Sequence, residues 1–298
     1  MPIRQPVPLR GERIGIVAAL SKAEAGDLGK AVADRLTSFG CTVIPEHDLA
    51  TDLGQSAAAI IVLGGDGLMM RAATAYPDVP LLGINFGNVG FLALVERRDW
   101  EAALAELMHG HYGIQEGSTL QAAIVRDGIE LQQGWAINDV VVRGGVRMIE
   151  LELYVDDHFV NNYPGDGMIV STPHGSTAYC LAAGGPILTA GVRGIAIVPI
   201  SPHSPIRTPL VVSEQACIEL LLGNDRVASV ILDGRAVFDL QQGDTIMVEQ
   251  GAHVLRLITL ETTNFYEAFR TKFNFRIRPD AVPTRDPNRH HPDEEWRP

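Results

Sequence analysis

Ala58-Ala59-Ile60-Ile61-Val62-Leu63-Gly64-Gly65-Asp66-Gly67-Leu68 is the stretch on which the fold turns. Its unbroken apolar run, with no polar alternation and with β-branched residues at its centre, fits a strand buried on both faces. Glycines break the run, and 68–75 continues with helical spacing. Strand, glycine-rich turn and helix form the first half of a βαβ unit. On either side of it, 13–18, 41–44 and 81–84 are further apolar runs, while 22–39, closed by Gly40, and 98–109 carry helical patterns. This alternation predicts an α/β N-terminal domain with a parallel, Rossmann-like sheet, covered on both faces, whose ligands lie outside the carboxyl ends of the strands.

From residue 118 the texture changes. Short runs at 120–125, 129–132, 136–142 and 148–155 are separated by the turn pairs Asp127-Gly128, Gly144-Gly145 and Asp156-Asp157. Others follow at 195–200, 211–222, 227–232, 245–249 and 253–260, with one helix around 177–183. This spacing predicts a mostly β, antiparallel C-terminal domain. The expected organisation is an α/β domain over 1–115 carrying the Gly64–Gly67 loop and a β-rich domain over 116–263. A segment at 264–278 then packs back on the N-terminal domain, and a tail at 279–298, rich in proline and charge, is disordered.

Composition narrows the classes further. With 298 residues, 46% hydrophobic and 20% charged, the chain can bury a core. Its formal net charge of −12 argues against a general nucleic-acid binder, yet leaves open an anionic small ligand held by backbone amides. The apolar run at 57–63 is far shorter than the roughly 20 residues of a membrane-spanning helix, and 1–10 has no apolar core of a signal peptide, so the expectation is a cytoplasmic protein. Three cysteines, Cys41, Cys180 and Cys217, offer neither a disulfide framework nor a CxxC clip and are read as buried thiols.

Four motifs carry chemistry. In Gly64-Gly65-Asp66-Gly67 the glycines allow close approach of a ligand, and the following helix offers unpaired N–H groups to phosphate. A carboxylate repels phosphate there, so Asp66 fits taking a proton from a hydroxyl, or binding a metal or a ribose; a helix N-cap is the bland alternative. The second motif, Leu82-Gly83-Ile84-Asn85-Phe86-Gly87-Asn88-Val89-Gly90-Phe91-Leu92, leaves the next strand as another glycine-rich loop, the bland alternative being a turn with Phe86 and Phe91 in the core. In the third, Asn138-Asp139 interrupts an apolar strand, and such a buried polar pair needs partners, which ribose hydroxyls or a turn would supply. The fourth runs Gly165-Asp166-Gly167-Met168-Ile169-Val170-Ser171-Thr172-Pro173-His174-Gly175-Ser176-Thr177-Ala178-Tyr179 and on to Ala182-Ala183-Gly184-Gly185-Pro186, a strand ending in a hydroxyl-rich turn that starts a helix. Walker A, GxGxxG and GxSxG patterns are absent. His109 and His111 lack a third partner at metal-ligand spacing and are read as surface residues.

Taken in order, and with Pro199-Ile200-Ser201-Pro202-His203 and Leu232-Asp233-Gly234, these motifs resemble the NAD kinases, also called inorganic polyphosphate/ATP-NAD kinases, over about residues 13–273. The resemblance implies phosphorylation of the 2′-hydroxyl of the adenosine ribose of NAD by ATP, or by polyphosphate, with a divalent cation, magnesium being expected. It implies NAD in a crevice between two domains and a homotetramer or homodimer, with no nucleic acid or membrane partner. Asp66 is then the proton acceptor, and Gly64, Gly65, Gly87 and Gly90 are the phosphate loops. NAD contacts fall on Gly67, Phe86, Asn138, Asp139, Arg147, Asp166, His174, Thr177, Ala178, Tyr179, Ala182 and Asp233, and no metal ligand is assigned to the protein's side chains alone. Three positions depart from the family pattern: Asp139 stands where glutamate is usual, His174 where threonine or serine is common, and Arg235 where an uncharged residue is frequent. A non-catalytic NAD(P) sensor and a lipid kinase sharing the GGDG sequence are the alternatives.

Overall fold

A computed structural model describes residues 7–19, 23–51, 56–86, 90–189, 191–203, 205, 207–261 and 269. Gly87, the segment 264–278 apart from Phe269, and the tail 279–298 lie outside the described residues. The N-terminal part runs β1 (Arg13–Ala18), α1 (Ala23–Ser38), β2 (Thr42–Pro45), α2 (Glu46–Leu49), β3 (Ala59–Leu63), α3 (Asp66–Ala75), β4 (Leu81–Asn85), β5 (Val95–Glu96) and α4 (Trp100–His109). All its strands pair in parallel, in the order β2-β1-β3-β4-β5. Every residue of β3 and β4 is buried, as strands covered on both faces require. On α1, Ala25, Leu28, Val32 and Leu36 recur at helical spacing and face the core, and the helix ends where Gly40 takes a φ of +84°. Helices α1 and α4 cover one face of the sheet, while α2 and α3 cover the other.

The remainder runs β6 (Gly113–Arg126), β7 (Ile129–Ala136), β8 (Asp139–Gly144), β9 (Ile149–Val155), β10 (His158–Gly165), β11 (Gly167–Ser171), α5 (Tyr179–Ala182), β12 (Gly194–Ile200), β13 (Leu210–Ser213), β14 (Ile218–Leu222), β15 (Ala228–Leu232), β16 (Arg235–Leu240) and β17 (Thr245–Thr259). Strands β13-β12-β11-β8-β15-β16 form one antiparallel sheet. The others do not form a separate second sheet: β10-β9-β14-β17 continues through β17 into β4-β3-β1-β2, with β6 and β7 branching from β17. One core lies between the two layers, built from alternate residues such as Leu151, Leu153, Met168, Val170, Leu220 and Ile246.

Several expected elements differ. The run 211–222 is two strands, because the chain turns at Ala216, whose N–H donates to the Ser213 carbonyl, and crosses from one layer to the other. The runs 245–249 and 253–260 are one long strand with a register irregularity between Gln250 and Val254. The run 136–142 is interrupted: β7 ends at Ala136 and β8 begins at Asp139, so Asn138-Asp139 marks a corner rather than mid-strand. The helix expected around 177–183 is a 3-10 turn, Gly175–Thr177, followed by the single turn α5. Cys41 and Cys180 are buried thiols, whereas Cys217 is half-buried.

Candidate active site

Because β3 and β4 are parallel neighbours, both glycine-rich loops leave the sheet at the same end, side by side. Asp66, the first residue of α3, ties them together. Its carboxylate accepts hydrogen bonds from the backbone N–H of Phe91 (3.0 Å), Leu92 (3.0 Å) and Ala93 (3.2 Å). Gly90 lies so close to this carboxylate that a Cβ there would stand 1.8 Å from Asp66 Oδ1, which excludes any other residue without movement.

A second carboxylate does similar work on the other side. Asp233 and Gly234, both at positive φ, form the two-residue turn between β15 and β16. Asp233 accepts the N–H groups of Ile137 (2.8 Å), Asn138 (2.7 Å) and Asp139 (3.2 Å). Those bonds take the place of a strand ladder, which is why β7 and β8 part at this corner. The corner is also stitched to the long motif: Thr172 donates its backbone N–H to the Asn138 carbonyl and its hydroxyl to the Ile137 carbonyl.

Between these anchors lies a cleft of two compartments, of about 370 Å³ and 430 Å³, that share Asn138 and Ala178. Asp66, Gly67, His174 and Thr177 line the first; Asp139, Tyr179 and Asp233 line the second. Asp139 is only 5% exposed. Burial, and then the nearby charge of Asp233, raise its pKa to about 7.

The remaining expected contacts are distributed differently. Phe86 packs on the N-terminal core with the Arg97 guanidinium 5.3 Å from its ring centroid, and Phe91 and Leu92 line the cleft instead. Arg147 is exposed in the turn after β8 and Asp166 is exposed between β10 and β11; neither lines the cleft, and neither does the exposed Ala182. The hydroxyl-rich turn is not an open anion site at a helix start. Ser176 is fully buried, its hydroxyl engaged with Pro173 and Leu188, and the Thr177 hydroxyl donates to the His174 carbonyl. His174 lines the first compartment, and burial lowers its pKa to about 4, so the ring is neutral near pH 7. Its Nε2 lies 3.2 Å from Gln115 Nε2, and its buried Nδ1 has no partner among the described residues.

Gln115, Arg143, Leu188, Leu257 and Thr259 line the cleft without having been singled out in the sequence. For Gln115, Leu257 and Thr259 no local signal existed. They sit on the paired strands β6 and β17, and only that pairing brings them to the loops. Arg143 lies two positions beyond Val141 and four beyond Asp139 on β8, and its place on the Asp139 face is readable once β8 is known.

Comparison with known proteins agrees with this architecture. Residues 38–112 match the ATP-NAD kinase N-terminal domain, and residues 137–260 match the ATP-NAD kinase C-terminal domain. The chain belongs to the NAD kinase family. An NAD kinase of Thermomicrobium roseum is 56% identical over 273 residues, covering 92% of this chain and 95% of that one. An NAD kinase of Pseudomonas fluorescens SBW25 is 39% identical over 284 residues, covering 89% and 96%. The fold is shared with two solved structures. Yeast NADH kinase complexed with NADH superposes with a TM-score of 0.74 at 20% identity, covering 95% of this chain and 91% of that one. An NAD kinase from Archaeoglobus fulgidus in complex with ATP gives 0.68 at 24% identity, covering 88% and 97%.

Proposed function

We propose that this NAD kinase family enzyme transfers the γ-phosphoryl group of ATP to the 2′-hydroxyl of the adenosine ribose of NAD, giving NADP and ADP. The observation that carries this reading is the placement of Asp66 at the meeting of two glycine-rich loops, in a cleft whose adjoining compartment holds Asp139. In the proposed step the ribose oxygen forms its bond to phosphorus as the bond from phosphorus to the ADP oxygen breaks, and the hydroxyl proton passes to the Asp66 carboxylate. Asn138 and Asp139 orient the ribose, held in place through the Asp233 clamp. Phosphoryl transfer needs positioning and charge neutralisation more than covalent chemistry from the protein, which suits a site made of loops and carboxylates.

Among the described residues no three His, Cys, Asp or Glu side chains group as a metal site. A divalent cation, expected to be magnesium, would accompany the ATP phosphates. Residues 1–115 would serve the donor side and 116–263 the NAD side, in a cytoplasmic homotetramer or homodimer; size-exclusion chromatography with light scattering reads the assembly. No helix among the described residues is long and apolar enough to cross a membrane.

The deciding assay incubates the purified protein with NAD and magnesium, plus ATP in one arm and polyphosphate in another, and follows NADP with an NADP-dependent dehydrogenase. NADP is expected with ATP. NAD binding without any NADP in either arm would favour a sensor and overturn the proposal.

A further inference from the structure

Strand β8 divides its side chains between two faces. Val140 and Val142 enter the core between the layers, whereas Asp139, Val141 and Arg143 line the second cleft compartment. Four residues of strand separate the two charged groups by roughly 13 Å, with Tyr179 and Ile231 among the walls of the same compartment. The carboxyl groups lining the two compartments are those of Asp66, Asp139 and Asp233; Arg143 is the one Lys or Arg among the described lining residues. It is exposed, and among the described residues it forms no ion pair, although two carboxylates line its own compartment. A cleft that handles phosphates, within a chain of net charge −12, thus presents a single guanidinium at the end of a strand face whose other end carries the buried acid.

We propose that Arg143 is a positioning residue that binds an oxygen of the NAD pyrophosphate, while Asp139 holds the ribose at the other end of the same strand face. The inference rests on the NAD-phosphorylating reading above. In the proposed pose the ribose and its 5′-phosphate follow the direction that β8 runs, so the strand sets the spacing between the two contacts. The guanidinium fork suits two phosphate oxygens at once, which an ammonium does not match.

Kinetics of Arg143→Gln and Arg143→Lys test this. Arg143→Gln is expected to raise KM for NAD by about 10- to 100-fold, the loss of one charge-assisted contact, with kcat and KM for ATP near the parent values. Inhibition by adenosine, which shares the ribose and base but has no phosphate, should be unchanged, and Arg143→Lys should recover part of the NAD affinity. An unchanged KM for NAD, an equal loss for adenosine, or a rise in KM for ATP instead would each overturn the assignment. If the parent protein makes no NADP, the functional reading fails by itself. Calorimetric titration of NAD and of adenosine into parent and Arg143→Gln then decides the role of Arg143 separately, by whether only NAD binding weakens.

Discussion

Asp66 gives its carboxylate to three backbone N–H groups of the facing loop, so replacing it with asparagine does two things. It removes the proposed proton acceptor, and it turns an amide NH2 toward N–H groups that need an acceptor. Asp66→Asn is expected to lower kcat by about 100- to 10,000-fold, and a thermal melt should also show a modest fall in Tm. Turnover within a fewfold of the parent, at saturating substrates, would mean that Asp66 is only a clasp. Asp139 makes a separate prediction about pH. Its carboxyl is raised by burial, and then by Asp233, from 3.8 to about 7. Between about pH 4 and pH 7 the folded protein keeps a proton that the unfolded chain has released, so the contribution of this group to stability falls as pH rises through that window and levels off above it. Asp139→Asn removes the effect, and the Tm of the variant relative to the parent should be higher at pH 8 than at pH 5; an equal difference at both would refute the buried, protonated acid. His174 behaves in the opposite way: neutral above about pH 4, it should give NAD binding no pH dependence of its own between pH 6 and 8, so parent and His174→Thr should show parallel profiles in calorimetric titrations.

At the scale of elements, two turns hold the site, each through one carboxylate. Gly90→Ala would force a methyl group into the Asp66 carboxylate, and the expected result is loss of most activity with the circular dichroism of the α/β layers retained. Parent-like kcat would show that the clasp opens in the working enzyme. Asp233→Ala strands three N–H groups at the corner between β7 and β8. It should cost about 2 kcal/mol of stability, measured by urea denaturation, and should raise KM for NAD because Asn138 and Asp139 lose their setting. The pair Asp233-Gly234 is in itself a hairpin signal, although the strand that follows it, β16, is not among the runs expected from the sequence. The second role of Asp233 is not legible there, because the carboxylate reaches residues 94 to 96 positions away in the chain.

For the whole molecule, β17 is the decisive strand. It pairs with β6 along most of its length, meets β4 at Leu257 and Leu81, and sends Leu255 and Leu257 into the core on one face of the parallel sheet and Ile258, with the adjoining Leu260, into the core on the other. A fragment 1–115 loses those side chains, each worth about 1.5–3 kcal/mol when buried, and exposes the edge of β4. It is therefore expected to be insoluble or unfolded by circular dichroism, and the full chain should melt in one transition seen alike by far-ultraviolet signal and tryptophan fluorescence. An independently folded 1–115 fragment would show that the two halves need no shared strand.

The α/β start, the β-rich remainder and the glycine-rich loops are written locally in the chain: apolar runs of strand length, helical spacing in α1, and the glycines Gly64, Gly65 and Gly67 and those after β4. Long-range contacts settle that the two parts share a sheet, that Asn138-Asp139 sits at a corner, that Ser176 and Thr177 spend their hydroxyls internally, and that Gln115 and Arg143 line the two compartments whereas Arg147 and Asp166 do not. The reason is physical. A strand of fifteen residues such as β17 has the same local pattern whichever neighbours it takes, and a hydroxyl or carboxylate has the same identity whether it meets a ligand or a backbone amide. Pairing across long chain separations, and burial that follows from it, choose between those outcomes.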